Sequence, residues 1–83
     1  MTQNDVDDFV RKAEAIYASR LRPILEPQHV DEFVAIEPET GDYFLGKTLN
    51  EATRAARKMY PDRLTHAMRV GRRAALHFGM QTR

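Results

Sequence analysis

Residues 32–60 read EFVAIEPETGDYFLGKTLNEATRAARKMY, and the order of signals in this stretch decides the fold. Residues 32–37 hold a short run of β-compatible apolar residues, Phe33 to Ile36, and residues 42–46 hold a second, Tyr43-Phe44-Leu45. Pro38-Glu39-Thr40-Gly41 lies between them. Pro38 presets φ for a type I turn, and Gly41 tolerates the left-handed position that follows it. The reading is a β-hairpin with a three-residue loop and a glycine bulge. Thr48-Leu49-Asn50-Glu51 then matches a capping box, with Thr48 as N-cap and Glu51 reaching back. Leu49, Ala52, Ala55, Ala56, Met59 and Tyr60 mark the buried side of the helix that follows. Its alanines permit close approach to a sheet, and Pro61 stops it.

Outward from this centre, residues 5–22 predict an amphipathic helix. Val6, Phe9, Val10, Ala13, Ile16, Tyr17 and Leu21 recur at three- and four-residue steps. Asn4 is the expected N-cap, and Asp5, Asp7 and Asp8 sit where the helix dipole favours negative charge. Asp7 with Arg11, and Asp8 with Lys12, have ion-pair spacing. Pro23 disfavours a helical Arg22, so the helix is expected to end there, with Ile24 and Leu25 as an extended lid on the core. On the other side, Leu64, His66, Met68 and Val70 alternate with Thr65, Ala67 and Arg69, which is strand periodicity, and Gly71 ends the strand. Residues 72–79 fit one helical turn or an edge strand. The expectation is one α+β domain over residues 1–83, frayed at 1–4 and 80–83. Its order is α-β-β-α-β, with the helices on one face of a small three-stranded sheet.

Eighty-three residues with 42% hydrophobic and 30% charged content suit an ordinary globular chain with a marginal core. Cysteine is absent, which removes disulfides, thiolate zinc sites and a cysteine nucleophile. No apolar run approaches the ~20 residues of a membrane span, and no signal segment opens the chain. A cytoplasmic protein without membrane contact is therefore expected.

The net charge of +1 conceals a segregation. Residues 23–46 hold six acids (Glu26, Asp31, Glu32, Glu37, Glu39, Asp42) and no Lys or Arg. Residues 47–83 hold nine bases against Glu51 and Asp62. Either the two segments neutralise one another within the fold, or they form poles for partners of opposite sign. Glu37, Glu39 and Asp42 flank the hairpin turn as candidate acidic contacts. A catalytic or Ca²⁺-binding use is disfavoured, because Pro38 breaks the regular alternation of oxygen ligands. Arg54, Arg57 and Lys58 fall on the outer side of the second helix, and Arg69, Arg72 and Arg73 bracket Gly71. These six are candidate partner or phosphate contacts. A pI near 8.2 and the lack of a known reading module argue against a dedicated nucleic-acid domain.

Catalytic and cofactor motifs do not appear. His29, His66 and His77 lack metal-ligand spacing, and Ser19 lacks a nucleophile elbow. The four glycines form neither a P-loop nor a dinucleotide fingerprint. No cofactor is expected, and His66 reads as a half-buried, satisfied histidine.

Phe33-Val34-Ala35-Ile36-Glu37, Thr40-Gly41-Asp42-Tyr43, Thr48-Leu49-Asn50-Glu51-Ala52 and Arg69-Val70-Gly71 resemble a group of small uncharacterised bacterial proteins of unknown function, common in cyanobacteria. Ala13-Glu14-Ala15-Ile16-Tyr17 and Leu25-Glu26-Pro27 extend the resemblance over most of residues 13–79. Arg72-Arg73 departs from it, since many members carry an aromatic residue there. Members are often encoded beside a retropepsin-like aspartic protease. The resemblance implies a small accessory or antitoxin-like partner of a neighbouring gene's product. It carries over no functional residue, because its motifs are caps, a turn and strands.

The sequence thus favours a non-enzymatic protein–protein interaction module. Three short strands leave open edges, so a homodimer is expected, and a protein encoded nearby is a further expected partner. The alternative is a nucleic-acid-associated regulator using the basic C-terminal half.

Overall fold

In the computed structural model, which describes residues 3–71, β1 (Phe33–Ile36) is the middle strand of a three-stranded antiparallel sheet. On one side it pairs with β2 (Tyr43–Gly46), Ala35 opposite Phe44. On the other it pairs with β3 (His66–Arg69), Ala35 opposite Ala67. β2 and β3 therefore run parallel to each other with β1 between them, and the helix α3 (Leu49–Met59) is the crossover that joins them. The α+β class and the α-β-β-α-β order are those read from the sequence.

The helices do not share one face of the sheet, as the sequence reading had them. Side chains alternate across a strand. Val34 and Ile36 point to one side and pack with Ala13, Tyr17, Leu21, Leu25 and Val70. Ala35 points to the other and packs with Ala52 and Ala56 of α3, with Phe33 and Phe44 at the margin. Each face carries its own helical layer. The apolar residues are large on the N-terminal helix side and small under α3. Gly46 and the alanines therefore bring α3 close to the sheet.

The first helix also runs further than predicted. α1 (Gln3–Ile16) already includes Asn4 and continues through a π-helical turn, Tyr17–Leu21, into α2 (Arg22–His29). Pro23 does not end it. In the π turn the Arg22 N–H reaches the Tyr17 carbonyl, five residues back. This widens the ladder just before the proline, and Pro23 then occupies the first turn of α2, where a missing N–H costs little. The buried line Ala13, Tyr17, Leu21, Leu25 advances by four residues throughout. Leu25 covers the core as expected, but from a helix. Ile24 is 58% exposed rather than a lid on the core, and Val6 is exposed as well. After α2, Asp31 adopts φ +75 and its N–H bonds the Val70 carbonyl, tying the turn to the end of β3.

Four residues, not three, separate the closing pair of the hairpin. Glu37 N–H donates to Asp42 O at 2.8 Å, and Gly41 N–H to Glu37 O at 2.8 Å. Gly41 takes φ +83, as the turn requires. The capping box forms: Thr48 Oγ1 accepts the Glu51 N–H at 3.1 Å, and Glu51 Oε1 accepts the Lys47 N–H at 2.8 Å. Met59 and Leu64, both read as core-facing, are 63% and 55% exposed. The expectations for residues 72–79, for fraying at 80–83 and for Arg72 and Arg73 lie outside the described residues.

Candidate interaction surface

The acidic turn divides into three different environments. Glu37 is buried rather than solvated, with 1% exposure. Its carboxylate accepts the Glu39 N–H at 3.1 Å and the Thr40 N–H at 2.9 Å, so it caps the turn from within. Arg63 Nη1 stands 3.7 Å away. Burial alone pushes this carboxyl up, but the Thr40 hydroxyl, the two N–H groups and Arg63 outweigh it and hold the pKa below the ordinary 4.5. Glu39 is exposed and faces Lys12 at 3.6 Å. Asp42 is exposed and accepts the Tyr60 hydroxyl. The Tyr60 ring stands edge-on to Phe44 and beneath the Arg63 guanidinium. Of the three predicted acidic contacts, Glu37 is therefore a structural cap and only Glu39 and Asp42 reach the surface.

The two charged segments touch at Glu37–Arg63, which satisfies the neutralisation reading at one point. The predicted basic stripe stays apart from it. Arg54, Arg57 and Lys58 are exposed on the side of α3 away from Ala52 and Ala56, and pair with no acid among the described residues. Arg69 does not join them as a free cation. Its guanidinium lies 5.2 Å from the Phe33 ring centroid and its Nε donates to the Asp31 carbonyl at 3.4 Å. The i,i+4 pairs expected on α1 also differ. Arg11 pairs with Asp8 at 3.4 Å, and Lys12 leaves its own helix for Glu39.

The strand edges carry the features that side-chain patterns did not mark. In an antiparallel ladder, residues alternate between bonding inward and pointing their N–H and C=O outward. The Glu37–Asp42 bond fixes the phase on one side of β1. Asp42 and Phe44 bond inward, and the backbone groups of Tyr43 and Leu45 face away from the sheet. On the other side, the Val70 N–H bonds the Glu32 carbonyl at 2.7 Å, so Ala67 and Arg69 are the outward residues of β3. Neither outward pair has a backbone partner among the described residues. The signal was present in the sequence once the turn's closing pair was known.

Tyr17 was read only as a core residue. Its hydroxyl donates to Glu26 Oε2 at 2.8 Å and accepts the Gly71 N–H at 3.2 Å, which places the π-helical turn beside the end of β3. Burial, offset in part by the Gly71 N–H and reinforced by Glu26, raises its pKa above 10.0.

His66 is half-buried against Phe9, with Glu14 Oε2 4.0 Å from its Nε2. His29 Nδ1 lies 3.2 Å from Glu32 Oε1 but makes no hydrogen bond among the described residues. Among the described residues no group of three or more His, Asp or Glu is placed to hold a metal ion, and no helix is long and apolar enough to cross a membrane. Comparison with protein-family models, curated proteins and solved structures found no match.

Proposed function

We propose that this chain is a small, non-catalytic, cytoplasmic interaction module that binds protein partners through the backbone of an open strand edge beside the acidic turn. The carrying observation is the strand order β2-β1-β3. It leaves outward N–H and C=O groups at Tyr43 and Leu45, and at Ala67 and Arg69, each a template for an added strand. Glu39 and Asp42 set the sign of the charge at one end of β2. The product of a neighbouring gene, which the family resemblance implies, is the proposed hetero-partner.

The test is co-elution of the purified chain with the purified product of the adjacent gene. A stable complex is expected, and proline at an open edge (Tyr43→Pro or Ala67→Pro) abolishes it, because each removes an N–H that β1 does not use. No complex at high micromolar concentration of both proteins contradicts this reading.

The second reading, nucleic-acid binding, draws on Arg54, Arg57 and Lys58, which pair with no acid among the described residues. It requires salt-dependent binding of mixed oligonucleotides that these three cations carry.

A further inference from the structure

The geometry of the β2 edge points to a second copy of this chain as its occupant, paired antiparallel with Phe44 opposite Phe44 of the partner copy. This inference rests on the strand-edge reading above and names its first partner. The outward residues of β2 are Tyr43 and Leu45, and Phe44 between them bonds inward. A two-fold axis through Phe44 brings Tyr43 of one copy level with Leu45 of the other. The outward N–H and C=O groups then meet as two hydrogen-bonded pairs, the alternation that an antiparallel ladder demands. The axis also keeps like faces together. Tyr43 and Leu45 continue the face that holds Val34 and Ile36, while Phe44 stays on the α3 face. The result is a six-stranded sheet with the self-complementary contact of a two-fold dimer. Tyr43, one of the large hydrophobic side chains left exposed, gains Leu45 of the other copy as its cross-strand neighbour.

Charge selects this edge and this direction. Asp42 immediately precedes β2 and Lys47 immediately follows it; Lys47 is exposed, its backbone N–H bonds Glu51, and its ammonium forms no ion pair with an acid among the described residues. Antiparallel pairing sets the acidic end of one strand beside the basic end of the other, whereas parallel pairing sets like against like. At β3 the flanking charges are Asp62-Arg63, which cancel, before it and Arg72-Arg73 after it in sequence, so antiparallel self-pairing there gains less from charge. Beside the end of β3, moreover, the Tyr17 hydroxyl takes the Gly71 N–H. Self-pairing at β2 leaves both β3 edges available to a different partner.

Light scattering coupled to size exclusion tests the inference on the full chain. At about 100 µM the wild type elutes with twice the chain mass. Tyr43→Pro weakens the dimer about tenfold or more, because symmetry removes two interchain bonds at once. Ala67→Pro, the same lesion at the other edge, leaves it intact. Circular dichroism confirms that each variant is folded. If Tyr43→Pro does not fold, Lys47→Glu reports instead. It changes an exposed side chain and weakens the dimer several-fold at low salt, less at high salt. A wild type that remains monomeric at 1 mM overturns the inference, and so does a dimer that Ala67→Pro alone disrupts. A monomer that still captures the adjacent gene's product leaves the strand-edge reading standing; a dimer that captures nothing removes the hetero-partner and keeps the self-pairing.

Discussion

Gly46 lies so close to the first turn of α3 that a Cβ built on it would collide with the backbone nitrogen of Ala52 and come within 2.7 Å of Glu51 Cβ. The contact clamps β2 to α3, and it fixes the strand whose outer edge carries the Tyr43 and Leu45 backbone groups. Backbone is the obstacle, so no side chain can swing aside. Gly46→Ala is expected to destabilise the fold by about 1–3 kcal/mol, the range for overpacking a tight site. Urea denaturation checks this, and a neutral substitution would show that β2 and α3 can separate without loss.

Glu37 ties stability to acid pH. Its folded pKa is held below the ordinary 4.5, so its contribution is complete above that value and is lost as pH falls through the folded pKa. Glu37→Gln keeps the shape and removes the charge. It is expected to cost about 1.5–3 kcal/mol at neutral pH, the range for hydrogen bonds to a charged group. It is also expected to flatten the decline in stability below pH ~4.5. Chemical denaturation between pH 2.5 and 7 reads both effects.

Tyr17→Phe preserves the ring in the core and deletes the hydroxyl between Glu26 and Gly71. A loss of about 1–2 kcal/mol is expected, since Glu26 and the Gly71 N–H lose a partner. The raised folded pKa means the wild type keeps this contribution below pH 10.0 and loses it as pH rises through the folded value. The variant lacks that alkaline step. Thermal unfolding from pH 8 to 11 separates the two proteins.

Replacing Arg54, Arg57 and Lys58 together by alanine is expected to change stability by no more than about 1 kcal/mol, because none is buried or paired among the described residues. Complex formation with a protein partner should be unaffected. An oligonucleotide titration that wild type binds and this variant does not would favour the nucleic-acid reading.

Much of this was legible locally. The capping box at Thr48–Glu51, the left-handed Gly41 and the antiparallel hairpin are short-range devices, and each formed where its residues stood. The course of the first helix was set by longer-range packing. Pro23 ends a helix by local rules, yet the π turn before it and the burial of Leu21 and Leu25 carry the helix through. The placement of helices on both faces follows from β1 itself. Phe33-Val34-Ala35-Ile36 is apolar at every position, the pattern of a strand covered on both sides, where a one-sided sheet would alternate. In the sequence Glu37 reads as one of three acidic contacts beside the turn, because its partners are backbone N–H groups two and three residues on, which composition does not mark. The outward phase of Tyr43 and Leu45 needed the turn's closing bond, one residue beyond the predicted loop length.

Amide hydrogen exchange along β2 as a function of protein concentration reads the state of this edge residue by residue. In the isolated chain the Phe44 N–H bonds inward and exchanges slowly, while the Tyr43 and Leu45 N–H groups face outward and exchange fast. Pairing of β2 with a second copy protects Tyr43 and Leu45 together as concentration rises from low micromolar to about 1 mM and leaves Ala67 and Arg69 unchanged. Fast exchange at Tyr43 and Leu45 across the whole range would contradict it.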